Sequence, residues 1–426
     1  MGQWYRSDGQ LSLYLCRYWR ETAHIETAIS MGRYPITSAA SQSYPLDITI
    51  RLHELDIPHS AADRMKAQLY QQHEYEEIES SGFTILIGPK PREAGRSRPA
   101  ELDIIISEVS RWHTFAYESD HPIDVMKITK RLADLSAPIL KSFNFVGSPE
   151  GHETELQKVF EGGAPILSHI CIGGIEPIAC LPPLSSLTFL HLEDPFDRIG
   201  GNEFMDIIRA SPALVSLHLS GQVINLGDLY QLALQREHVD IATLRHFSFF
   251  ANPELKYGIE SVLNTIRCPA LESLTISNFD GWYAVDDISS PQTLPLPLFP
   301  FLRSLELCRC FGSDFGNAFD LTHLPALNTI SLTGCDDSMS LLHVMLLTQE
   351  KDDSDDVWAA LRLIRLDYLE ASAFDGLSEL IVYRQTCGKP IEAVSLGSAS
   401  MKKYPEKVEW MKQHVAVRPW EGSSLL

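Results

Sequence analysis

The sequence predicts an α/β solenoid: stacked strand–helix units forming a curved parallel sheet, with an α+β cap on the N-terminal side. Three observations lead there. A short phrase recurs, PALVSLHLSG at Pro212–Gly221, PALESLTISN at Pro269–Asn278 and PALNTISLTG at Pro325–Gly334. Its skeleton, L-x-x-L-x-L with aliphatic or Phe substitutions, returns down the chain at intervals of about 20–34 residues. Between the phrases lie segments with apolar residues at i, i+3 and i+4, the spacing of one buried helical face.

The repeated strands come first. The skeleton fits at Leu140-Phe143-Phe145, Leu167-Ile170-Ile172, Leu187-Leu190-Leu192, Leu214-Leu217-Leu219 and Leu244-Phe247-Phe249. It fits again at Leu271-Leu274-Ile276, Leu302-Leu305-Leu307 and Leu327-Ile330-Leu332, and more loosely at Leu361-Ile364-Leu366 and Ile391-Val394-Leu396. Period and skeleton together describe a leucine-rich repeat. The fourth and sixth positions alternate along a strand and point the same way, so each strand buries one apolar row. One unit cannot cover that row alone, and stacking covers it.

The returning segments come next. Gly200–Ala210, Asn225–Arg236, Tyr257–Arg267, Ser338–Gln349 and Phe374–Arg384 all read as helices with one apolar face. Pro138, Pro165, Pro212, Pro269, Pro300 and Pro325 stand just before strands, where each is expected to stop the preceding helix.

The two ends differ from this pattern, and the chain divides into residues 1–137, the repeats at 138–400, and a C-terminal capping helix and tail at 401–426. Leu11–Ser30 reads as a helix, Tyr44–Leu52 as a strand, Ser60–Ser80 as a charged helix, and Phe83–Ile87 and Leu102–Ile106 as strands. Ser107–Phe115 leads into the repeats. Met401–Val415 reads as one helix with Pro405 in its first turn, placing Val408 and Met411, or Trp410 with His414, over the last strand.

Composition narrows the function. The net charge is −21 and 21% of residues are charged. That balance gives no basic footprint for nucleic acid and disfavours anionic membranes. Eight cysteines carry no CxxC pair, no apolar run approaches a membrane span, and no leader is expected at Met1. A reducing cytoplasm or nucleus is expected. Walker, G-x-S-x-G, H-E-x-x-H and zinc-ribbon patterns are absent, so no cofactor, no metal and no enzyme activity are expected.

Three stretches carry a family resemblance: SYPLDITIRL at Ser43–Leu52, EVSRWHTFAYE at Glu108–Glu118, and the P-x-L-x-x-L-x-L units that follow. They resemble the fungal, basidiomycete-type F-box proteins with degenerate leucine-rich repeats, over roughly residues 40 to 415. The resemblance implies a target-recognition subunit of an SCF-type cullin ubiquitin ligase, with a Skp-type adaptor bound by the F-box and an unknown protein target on the repeats. The family's L-P-x-E-[LI]-L opening is not present, so the F-box is missing or truncated. Only LYLCRYWRETA, Leu13–Ala23, is similar to the helix that ends an F-box, and Leu15 and Trp19 are its adaptor-facing residues. The alternative is a stand-alone repeat scaffold with no ubiquitin-related role.

The leucines are scaffold, and the residues between and beside them are display. Display positions on the concave face give Phe189, His191 and Glu193, then His218, His246 and Phe250, then Glu306, Arg365 and Asp367. Aromatic anchors with a polar rim suit protein recognition. Cys171, His191 and His218 occupy successive central positions, and a zinc or redox-sensing ladder is the sharper, less favoured reading of them.

Overall fold

A computed structural model describes residues 12–14, 45–52, 83–87, 103, 105–119, 122–147, 156–195, 197–250, 259–278, 299–310, 324–335 and 358–420. The chain is α/β, its sheets are predominantly parallel and not closed, and it divides into two compact units near Ile199. No described helix is long and apolar enough to cross a membrane.

In the first unit the strands are β1 (Ser12–Tyr14), β2 (Leu46–Leu52), β3 (Phe83–Ile87), β4 (Trp112–Ser119), β5 (Ser142–Gly147), β6 (His169–Gly173) and β7 (Phe189–Glu193). Their spatial order is β1-β3-β2-β4-β5-β6-β7, with only β1 antiparallel. Helix α1 (Pro122–Leu132) links β4 to β5, and the short α2 (Pro177–Cys180) links β6 to β7. A row of core residues runs in register across four strands: Ile48, Phe115, Phe143 and Ile170.

Several expectations for this region are corrected. Ser12–Tyr14, inside the expected first helix, is a strand, and the rest of that helix and Ser60–Ser80 lie outside the described residues. Ile105–Ser107 is helical rather than extended. A short apolar run has no decisive period, and here the helical alternative won. The expected α+β cap instead contributes parallel strands. Trp112-x-x-Phe115-x-Tyr117 is an aromatic version of the repeat phrase, and its three side chains are all buried. Aromatic stacking builds the core there: Trp112 on Phe115 at 4.8 Å, Phe115 on Phe143 at 5.8 Å and Tyr117 on Phe145 at 4.9 Å.

The second unit holds β8 (Ser216–Ser220), β10 (His246–Phe250), β12 (Ser273–Ser277), β13 (Ser304–Cys308), β14 (Thr329–Thr333), β15 (Leu363–Leu366), β16 (Ala393–Gly397) and β17 (Ala416–Trp420). These are parallel neighbours in that order. Two-residue strands β9 (Val239–Asp240) and β11 (Ile266–Arg267) pair beside them, so the helix expected to reach Arg267 stops at Thr265. The helices are α3 (Gly201–Arg209), α4 (Leu226–Leu234), α5 (Ile259–Thr265), α6 (Ala371–Thr386), α7 (Ser398–Lys403) and α8 (Pro405–Lys412). Asn225 caps α4, its side chain accepting from the Gly227 N–H. Ser338–Gln349 lies outside the described residues.

All ten expected phrases fall on strands, and every first-position residue from Leu140 to Ile391 is at most 2% exposed. In the second unit Leu217, Phe247, Leu274, Leu305, Ile330, Ile364 and Val394 stand opposite one another without a slip. A one-residue slip would turn every leucine out of the core, which is why the register holds. The prolines also stand in turns. The N–H of Leu140 donates to Ala137, Leu167 to Ala164, Leu214 to Ser211, Leu271 to Cys268, Leu302 to Phe299 and Leu327 to Leu324. Each is the closing bond of a β-turn with Pro at its second position, where a fixed φ is pre-set. The same bond forms before Leu187, Leu244 and Leu361 without proline, so the turn aims the first leucine inward and proline pre-sets it where present.

Two cysteines complete the pattern. Cys310 and Cys335 are ninth in their phrases, counting from Leu302 and Leu327. Their thiols donate to the Ile276 and Leu307 carbonyls of the preceding strands, both at 3.4 Å. They tie one unit to the next where the chain leaves the sheet.

The C-terminal end is not one capping helix. Tyr404, at φ −129° and ψ 59°, separates α7 from α8, and a further strand, β17, follows. Val408 and Met411 are buried, while Trp410 stacks on His414 at 4.1 Å. The Ala416 N–H donates to the Glu392 carbonyl. Parallel alternation therefore turns the backbone groups of Ala416, Arg418 and Trp420 toward β16, and those of Val417 and Pro419 to the opposite edge. Pro419 thus places its missing N–H on that edge.

Candidate functional site

The strands that carry the repeat phrase alternate core with display residues, although β12, β14 and β16 bury most of both faces. In the first unit, β7 brings Phe189, His191 and Glu193 together on the display face, each half-buried. His169, at the matching position of β6, stacks on Phe189 with ring centroids 5.6 Å apart. Burial lowers the His169 pKa, so the ring is neutral at pH 7, and the Ser168 hydroxyl lies 2.8 Å from its Nδ1. This is an amphipathic platform: an aromatic pair with a carboxylate at its rim.

Cys171 and His191 are register partners, and the Cys171 sulfur lies 3.4 Å from His191 Nδ1. Burial, with the Glu193 charge second, pushes the Cys171 thiol up to about 12. It is therefore a protonated hydrogen-bonding group at neutral pH, not a thiolate. Cys268 and Cys308 are likewise pushed up to about 12 by burial, and Cys180 is pushed higher still. Among the described residues no three His, Cys, Asp or Glu side chains converge as a metal site. Asn144 stands beside Cys171 with its Oδ1 buried and unpartnered among the described residues.

In the second unit the remaining display residues form a row, not a cluster. His218 stands opposite Ser248, and His246 and Phe250 flank Ser248 on the same face of β10. Glu306 lies on β13, Arg365 on β15, and Asp367 just past the end of β15. At about 4.8 Å per strand, His218 and Glu306 are roughly 14 Å apart, too far to share one small ligand. No protein-family model and no curated protein matches the chain. Leu15 and Trp19 lie outside the described residues.

Sequence reasoning did not find His169, whose stack on Phe189 needs the short 20-residue step to be read in register. Nor does it point to Arg418, because the segment carrying it reads as tail beyond a helix. The signal for Arg418 was the alternation Val417–Pro419 against Arg418–Trp420, masked by the proline.

Proposed function

We propose that the chain is a leucine-rich-repeat protein that binds other proteins without catalysis, and that it serves as the target-recognition subunit of an SCF-type cullin ubiquitin ligase. One observation carries the binding role. The buried leucines account for the fold, whereas Phe189, Glu193, Phe250, Glu306 and Arg365 are spent on a sheet face that scaffold packing does not require. Thiols held protonated by burial are poor nucleophiles and support a non-catalytic reading. Seven described cysteines, all free, suit the reducing cytoplasm or nucleus.

The ligase role rests on the resemblance of Ser43–Leu52, Glu108–Glu118 and the repeats to F-box proteins. Its test is capture of a Skp-type adaptor by the full chain. Retention of adaptor and cullin together supports it, and failure of the adaptor to bind overturns it. The alternative, a stand-alone repeat scaffold, is what that failure would leave standing.

A further inference from the structure

The display face from β13 to β17 carries charge in a regular pattern. Its central row reads Glu306, Ser331, Arg365, Ser395, Arg418, one residue per strand and all in register. Charges stand on alternate strands, in the order minus, plus, plus. The residues between them are small and sunken: Ser331, Thr333, Ala393 and Ser395 are all buried, and none is more than 7% exposed. Gly397 continues this floor, since a Cβ there would lie 1.8 Å from the Asp367 carbonyl. Long charged side chains thus rise from a low floor.

Among the described residues, Glu306, Arg365 and Arg418 make no side-chain hydrogen bond or ion pair. Asp367, two residues beyond Arg365 and half-buried, is the nearest further charge along that strand. Residues 358–420 hold nine Lys and Arg against seven Asp and Glu, in a protein whose net charge is −21. The two arginines therefore lie in a segment with a slight excess of cations.

The spacing selects the occupant. Alternate strands lie about 9.6 Å apart. On an α-helix, residues seven apart share one face and are separated by about 10.5 Å. An extended peptide reaches that distance in three residues, but its side chains then point to opposite faces. A helix is about 10–12 Å across and a five-residue strand about 17 Å long, so one helix fits along the row. We propose that this face docks an α-helix of a protein partner, lying across the strands. The helix carries a cation opposite Glu306 and carboxylates seven and fourteen residues further on, opposite Arg365 and Arg418. This deepens the protein-binding reading and rests on it, but not on the ligase role.

The test uses the full chain and a labelled synthetic helical peptide with Lys at one position and Glu seven and fourteen residues later, read by fluorescence anisotropy at low salt. Controls are its charge-reversed counterpart, a scrambled peptide of equal composition, and a version broken by a central proline. The designed peptide is expected to bind about tenfold more tightly than either the scrambled or the broken one. R365E/R418E removes that preference, and E306K/R365E/R418E transfers it to the charge-reversed peptide, with thermal unfolding unchanged. Equal binding of the scrambled peptide overturns the charge register, and equal binding of the broken peptide overturns the helix. Competition by millimolar inorganic phosphate overturns both in favour of a simple anion subsite. Adaptor capture is measured separately, so either result can fail without the other.

Discussion

Replacing Arg384 tests how the C-terminal units are held together. Arg384 lies on α6, is only 2% exposed, and has no acidic partner among the described residues. Its Nε donates to the Lys389 carbonyl at 2.9 Å, and its Nη2 to the carbonyls of Trp358 at 3.1 Å and Leu361 at 3.2 Å. One guanidinium thereby joins α6, the turn that opens β15 and the segment leading to β16. Burial, with Arg362 nearby, lowers its pKa, so the charge costs free energy where it stands. Three bonds from a charged donor are worth about 1.5–3 kcal/mol each. Relief of the buried charge in Arg384→Met returns several kcal/mol. The net loss is expected to be about 2 kcal/mol for R384M. R384A adds the cavity of a deleted long side chain and is expected to lose about 4–5 kcal/mol. Lysine has a single nitrogen, cannot serve three separated carbonyls and keeps a charge to bury, so R384K should lose more than R384M. Urea unfolding followed by circular dichroism measures the midpoint shift. An R384M protein as stable as the parent would show that the desolvation cost outweighs the bonds, and would refute the clamp.

Leu217→Ala is expected to cost about 3 kcal/mol, because Leu217 is fully buried, whereas Ser216→Ala on the opposite face should stay within about 0.5 kcal/mol; urea midpoints of the pair check this. Trp112→Phe should cost under about 1.5 kcal/mol, since the indole Nε1 is buried with no partner among the described residues and a phenyl ring keeps the stack on Phe115; Trp112→Ala should cost more than about 3 kcal/mol in the same assay. The buried thiols ionise at about pH 9 when unfolded but near 12 when folded, so the native state binds the extra proton and stability should fall as pH rises from 9 toward 12. Denaturation midpoints at pH 8 and 10.5, for the parent and for Cys268→Ala, test whether removing one thiol flattens that slope. Pro419→Val restores an N–H on the outward edge of β17 and is expected to promote concentration-dependent self-association, read by light scattering.

The phrase was legible because its leucines answer to one demand, stacking, and that demand repeats. The prolines were visible but their task was not, since a turn bond from the leucine N–H leaves no trace in the letters. Trp112-Phe115-Tyr117 was passed over because rings replaced the leucines while serving the same core. Cys310 and Cys335 carry no CxxC signal, and only their shared ninth position in the phrase relates them. β17 reads as tail because three of its five residues are polar, small or proline and its burial is slight. Display was the least legible part. Position in the phrase says which side chains share a face and sets Cys171 beside His191, but Arg418 lies outside the phrase, and only register across strands sets it in one row with Glu306 and Arg365.

A stack of parallel strands in one register has the chemistry of a polymer: each unit offers the next the same template it received. Nothing in the leucines limits the number of units, and another chain presenting a strand could continue the series. In a polymerisation such growth ends when a monomer arrives without the group that propagates it. Pro419 is that monomer here. Val417 still offers its N–H on the outward edge of β17, but the next donor along that edge is gone, so the described sheet carries its own chain terminator.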